Sequence, residues 1–243
     1  MKKAVFLLVV SVFLSGCATV YNPATARQDK VSALMSPYAE SILGAYYYAQ
    51  MRNSYQGKIH EDPQLSAIGQ SLALVSDRRN DFKYRFLVVD EPAPNAFTAS
   101  GGYIYVTKGL LDMASSKDEI ACIVAHELGH DACRHMAKKM PAIVGYQLFL
   151  GIISNKEDKQ KDIQQIVGMM YQVISNGYSR QDEREADKLA VRYASKAGYD
   201  PNAFITFFEK MQKKYPQAYI PWLASHPSEQ ERIENARREI SRL

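Results

Sequence analysis

Two histidines and a glutamate fall within five residues, His126-Glu127-Leu128-Gly129-His130, and carry the strongest chemical signal in this chain of 243 residues. They sit in a run from Asp118 to Lys139 with helical apolar spacing. Ser116, with Glu119 three residues on, reads as a capping box that starts the helix. Histidines four residues apart share one helix face, about 6 Å apart along the axis, a gap that two imidazole arms can close onto one metal ion. Glu127 leans beside the same point, where its carboxylate can hold a water without ligating. Two neutral nitrogen ligands and a free carboxylate base suit hydrolysis at a zinc ion. The bland alternative is a histidine pair buried in a core helix, and a third ligand is what separates the two.

That third ligand has a candidate in Ser179-Arg180-Gln181-Asp182-Glu183-Arg184-Glu185-Ala186-Asp187, whose helical pattern continues through Leu189, Ala190 and Tyr193. Glu183 and Asp187 are four apart and share a face. Glu183 can be the third metal ligand. Asp187, one turn on, can accept a hydrogen bond from the non-ligating nitrogen of a metal-bound histidine and fix its tautomer. Asp182 and Glu185 are expected on a solvated face. A metzincin would need glycine and histidine where the chain has Cys133 and Met136. His135 lies off the His126/His130 face and reads as supporting or superficial. Cys133 lies about 10 Å along the helix axis from His126, too far to share an ion.

Together, His126 to His130 and Glu183 to Asp187 resemble the gluzincin family of zinc metallopeptidases that holds the HtpX-like proteases and the prenyl-protein endoproteases. Two further stretches fit. Asn95-Ala96-Phe97, leading through Gly101-Gly102-Tyr103-Ile104-Tyr105-Val106 to Gly109-Leu110-Leu111, resembles the strand pair that precedes the family's active helix; Ser225-His226-Pro227 with Arg232 resembles its C-terminal signature. The resemblance covers about residues 30–243. It implies an α+β, mostly helical, zincin-like domain with a small β-sheet beside the active-site helix. It implies one zinc ion per chain, held by His126, His130 and Glu183, with Glu127 as general base of an endopeptidase. The membrane-spanning helices of HtpX-like members have no counterpart in the pattern, which places the chain with the soluble periplasmic lipoprotein branch.

The remaining elements must position that site. Val31 to Tyr55 and Pro63 to Ser76 read as helices, with His60 solvated between them. Tyr84 to Val89 is strand-like, Ser100-Gly101-Gly102 is a turn, and Tyr103 to Thr107 alternates as a strand should. An edge strand across the cleft can pair with an extended substrate through its backbone. Asn95, Ala96 and Phe97 are assigned that role, the alternative being a hairpin that only supports the helix. Residues 141–153 form an apolar run too short to span a bilayer. Asn155 to Asp162 reads as a charged loop, Ile163 to Ile174 and Pro201 to Lys213 as helices, and the C-terminus as a charged helix. Three readings of His226 stay open: hydrogen bonding to the oxyanion, occupation of the open metal position at rest, or a loop contact. Arg232 can pair with a carboxylate near the site or form a surface bridge.

Residues 1–16 have the pattern of a secretory signal, with Lys2 and Lys3 before the apolar run Ala4 to Leu14. The run ends in Leu14-Ser15-Gly16-Cys17, which resembles a bacterial lipobox and implies acylation of Cys17. Residues 17–30 then read as a tether and 31–243 as the peptidase domain, lipid-anchored on the periplasmic side of the outer membrane. Of the other two cysteines, Cys122 and Cys133 are about 16 Å apart on one helix and cannot pair; both are expected as buried free thiols. The net charge of +4 falls to +2 without Lys2 and Lys3, too small a bias to suggest nucleic acid. The expected partners are polypeptides, namely unfolded or misassembled envelope proteins. The alternative function is a lipid-anchored chaperone or assembly factor for outer-membrane proteins with little proteolysis.

Overall fold

The computed structural model describes residues 17–33, 35–140, 156–214, Trp222, His226 and 229–243. The expected signal segment, the apolar run 141–153, and Ser225 and Pro227 lie outside these described residues. The elements run β1 (Cys17–Asn22), β2 (Arg27–Ser32), α1 (Pro37–Tyr55), β3 (Ile59–Glu61), α2 (Pro63–Ala73), β4 (Arg85–Val89), β5 (Ala96–Ala99), β6 (Tyr103–Thr107), α3 (Lys108–Leu111), α4 (Lys117–Ala132), α5 (His135–Lys139), α6 (Lys156–Asn176), α7 (Arg180–Lys196), α8 (Asn202–Lys214) and α9 (Glu229–Ile240). This is the α+β, mostly helical architecture that the sequence implied. No helix among the described residues is long and apolar enough to cross a membrane.

A four-stranded sheet with order β3-β4-β6-β5 forms the scaffold. Strands β4 and β6 are parallel, and the outer strands pair antiparallel to them. Alternate side chains of the central strands enter different cores. Phe86, Val88, Ile104 and Val106 pack with residues of α2, α4, α7 and α8. Leu87, Val89 and Tyr105 pack with residues of α1, α5 and α6. Both faces are covered, so β4 reads as an unbroken apolar run rather than an alternating one. The turn from β5 to β6 needs glycine: Gly101 has φ +76°, and a Cβ there would stand 2.4 Å from the carbonyl oxygen of Glu40.

Helix α4 is buried on every side, from Glu119 through Ala132. An all-round buried helix has to be apolar or to have its polar groups paired, and its histidines and glutamate therefore lie inside the protein. Ser116 caps it by accepting from the Glu119 backbone N–H at 3.1 Å. The Glu119 carboxylate reaches back one residue further than a capping box requires, accepting from Ser115 N–H at 2.6 Å. Helix α7 has the full box, with Ser179 and Asp182 each bonded to the other's backbone.

Three expectations on the elements need correction. The segment 17–30 is not a bare tether: β1 and β2 form an antiparallel hairpin with Cys17 opposite Ser32. The first helix starts at Pro37, capped by Ser36, because the chain before it belongs to that hairpin. The charged stretch 155–162 is not a loop throughout: it enters α6 from Lys156 onward. Elsewhere His60 is exposed, as expected, 3.8 Å from Asp90.

Candidate active site

Helices α4 and α7 bring the two motifs together. His126 Nε2 and His130 Nε2 stand 3.0 Å apart. Glu183 lies 3.3 Å from His130 Nε2 through Oε1 and 3.5 Å from His126 Nε2 through Oε2. Donor atoms arranged tetrahedrally at about 2.1 Å from a zinc ion are themselves roughly 3.3 Å apart, so these three converge at the right spacing. A fourth donor joins them. His226 Nδ1 is 3.2 Å from His126 Nε2 and 2.9 Å from Glu183 Oε1. All four residues are buried, and together they can hold a metal ion.

The outer nitrogens of both α4 histidines are engaged as well. His126 Nδ1 lies 2.9 Å from Asp187 Oδ1. Asp187 is in turn gripped by Arg232, whose Nε and Nη2 donate at 2.9 and 2.7 Å. Arg232 is 1% exposed and also reaches Glu183 Oε2 at 3.2 Å, so it is a buried partner and not a surface bridge. His130 Nδ1 lies 2.8 Å from His135 Nδ1. With both outer nitrogens occupied, the Nε2 lone pairs are left facing the common point. Glu127 completes the arrangement. Both of its carboxylate oxygens are buried without a hydrogen-bond partner among the described residues, and Oε1 is 3.6 Å from His226 Nε2. An unpaired buried carboxylate beside a metal-ligand cluster is a costly feature for a structural role. The donor set and this orphaned base both fit a divalent ion with a water-activating neighbour.

The electrostatics are uneven. Burial lowers the proton affinity of His126, as does Arg232, but the Asp187 and Glu183 carboxylates outweigh both and raise its pKa to about 9. His130 goes the other way, held well below the ordinary imidazole value by burial. Burial opposes ionisation of Glu183, yet His226, Arg232 and His130 hold its pKa well below the carboxylate range. The carboxylates thus favour positive charge at His126, and Glu183 is held ionised.

The proposed substrate residues lie on and beside β5, the edge strand of the sheet next to β6. Ala96 is buried, and Phe97 stacks on Tyr105 with ring centroids 4.8 Å apart. The Asn95 backbone bonds to Thr107, while its side-chain Oδ1 is buried without a partner. Asn95 and Phe97 line a cleft of about 220 Å³ shared with Tyr47 and with Tyr171 and Ile174 of α6. Cys17 is exposed at the start of β1.

Local sequence patterns did not reveal several residues around this site. Glu185 was expected in solvent but is 8% exposed, because the β1–β2 hairpin covers that face of α7 and Asn22 donates to it at 2.7 Å. Of the two readings of His135 the structure shows the supporting one: it is fully buried against His130, since Arg134 adopts φ 57° and breaks the helix just before it. Tyr178 stacks on His130 with centroids 3.9 Å apart, and its hydroxyl has no partner among the described residues. Trp222 packs edge-on to His126 at 6.1 Å.

A mostly helical α+β domain whose core helix presents two histidines to a glutamate from a second helix, beside an unpaired carboxylate, defines a metallopeptidase. Residues 59–240 match the model of peptidase family M48, and the chain belongs to that family. It is 27% identical over 208 residues to the mitochondrial metalloendopeptidase OMA1 of Schizosaccharomyces pombe, an alignment covering 85% of this chain and 57% of the relative. It is 31% identical to a putative β-barrel assembly-enhancing protease of Vibrio cholerae, covering 82% of this chain and 43% of the relative. The β-barrel assembly-enhancing protease of Escherichia coli is 26% identical, with 84% and 44% covered. The chain thus spans about half the length of these relatives.

Proposed function

We propose that this chain is a zinc-dependent endopeptidase that cleaves unfolded or misassembled envelope proteins. The observation that carries this reading is the convergence of His126, His130 and Glu183 on one point, beside the unpaired carboxylate of Glu127. When bound there, zinc supplies a Lewis acid that polarises a peptide carbonyl and acidifies a water. Glu127 takes the water's proton and returns it to the leaving amine. Asp187, braced by Arg232, holds the ring of His126. Strand β5, at the sheet edge among the described residues, receives the substrate as an added strand, with backbone bonds that impose little sequence preference.

Of the three roles read for His226, restraint at rest is favoured, because its Nδ1 stands at the fourth corner of the donor set. Catalysis then requires His226 to withdraw so that water and substrate can enter. Acylation of Cys17 would tether the enzyme to the periplasmic face of the outer membrane. The names of the two β-barrel assembly-enhancing relatives support outer-membrane proteins as the substrate class.

Metal analysis of the purified protein, paired with a casein digest with and without a chelator, tests the reading. One zinc ion per chain and chelator-sensitive cleavage are expected. A zinc-replete protein that leaves casein intact would favour the lipid-anchored assembly factor instead.

A further inference from the structure

We propose that His135 and Glu185 are positioning residues for the metal ligand His130, locked in place by Asn22, so that the N-terminal hairpin completes the metal site. This rests on the zinc reading given above. The proton bookkeeping carries it. A neutral histidine that offers Nε2 to a metal must carry its proton on Nδ1. His130 Nδ1 therefore donates across the 2.8 Å contact to His135 Nδ1. His135 then carries its own proton on Nε2, which lies 3.1 Å from Glu185 Oε2 and 3.6 Å from Asp182 Oδ1, both acceptors. Every donor in this relay from His130 to Glu185 meets an acceptor.

Glu185 is fixed in turn. Its Oε1 accepts from Gln181 at 2.8 Å and its Oε2 from Asn22 at 2.7 Å. Asn22 is 1% exposed and fully engaged. Its second amide hydrogen goes to Asp29 at 2.8 Å, and its Oδ1 accepts from the Ala24 backbone at 3.0 Å and from the Cys133 thiol at 3.4 Å. A fully satisfied buried network of this kind holds its members in one geometry. His126 is braced by Asp187 and Arg232, and this second chain does the same for His130. It begins in a hairpin at residues 17–32, outside the segment that matches the family.

The same residues invite a rival reading, because donor atoms of Cys133, His135 and Glu185 lie within 4.8 Å of one another and could bracket a second ion. The tautomers oppose it. His135 Nε2 needs its proton for Glu185, the Cys133 sulfur spends its proton on Asn22, and the Lys138 ammonium already stands 3.9 Å from Glu185 Oε2.

Zinc affinity of the full chain, measured by competition with a chromogenic chelator, together with the visible bands of cobalt-substituted protein, provides the test. His135→Phe and Glu185→Leu should bind zinc about 10- to 100-fold more weakly, and Asn22→Ala should weaken binding by several-fold, the range seen when the outer partner of a metal histidine is lost. His135→Gln should stay close to wild type and keep the cobalt bands, since its amide oxygen and nitrogen reproduce the acceptor and donor of the ring. Wild-type affinity in both His135→Phe and Asn22→Ala would overturn the inference; if His135→Phe does not fold, Asn22→Ala decides alone. Two zinc ions per chain, reduced to one by Cys133→Ala, would overturn it in favour of the second ion. A wild-type protein that binds no zinc would overturn the proposed function and this inference together.

Discussion

Gly129 of α4 lies directly against the backbone of Ala186 in α7: a Cβ added to Gly129 would stand 2.8 Å from the Ala186 carbonyl oxygen and 3.0 Å from its Cα. No side chain separates the helices there, which lets His130 and Glu183, on either side of the contact, reach the same point. Gly129→Ala should gain about 1 kcal/mol in helix propensity but lose about 1–3 kcal/mol to overpacking that no rotamer change can relieve. The expected outcome is a lower melting temperature and weaker zinc binding, because α7 must move outward and carry Glu183 with it. Calorimetry and chelator competition on the one variant check both.

Glu127→Gln separates metal binding from chemistry. The two carboxylate oxygens have no partner to lose, and the amide has nearly the same shape, so fold and zinc content should persist. An amide cannot accept the water's proton, and loss of a general base costs about 10²–10⁴ in rate. Cleavage of casein at unchanged zinc stoichiometry should fall by about that factor. Near-normal proteolysis by the zinc-loaded variant would remove Glu127 from the mechanism.

Arg232→Met removes a charge while keeping most of the volume that packs against Phe208 and Trp222. It leaves Asp187 and Glu183 as buried carboxylates without their cation, a loss of about 3–5 kcal/mol. A bound zinc ion offsets part of that repulsion. The variant should therefore be destabilised more in chelator than in zinc, and paired denaturant titrations of both forms measure the difference.

The pairs of side chains that share a helix face were legible because their spacing is local. Residues four apart on a helix share a face whatever the rest of the chain does, and this holds for His126 with His130 and for Glu183 with Asp187. That the two pairs come together is what the structure adds. What lay hidden depends on contacts distant in sequence. Asn22 and Glu185 are 163 residues apart, and nothing in the polar run around Asn22 marks it as buried. Glu185 read as solvated because a local pattern does not reveal a hairpin lying over that face of α7. For His135 the supporting and superficial readings both stood until the fold decided between them: the left-handed residue Arg134, which no periodicity reports, turns it inward against His130.

Cys122 and Cys133 are free and buried, and burial pushes both thiols above their ordinary pKa. Only the thiolate reacts, so neither residue should be labelled in the native protein, and both should react once it unfolds; mass spectrometry of the peptides resolves each site. The same shift links stability to pH. The folded chain keeps two protons that the unfolded chain releases above about pH 9, so the unfolded state binds fewer protons there and stability falls as pH rises. Urea midpoints taken from about pH 8 to about pH 10 should decline more steeply for the wild type than for the double variant Cys122→Ala/Cys133→Ala, which lacks both buried thiols. Parallel slopes in the two proteins would mean that these thiols do not contribute to the alkaline loss.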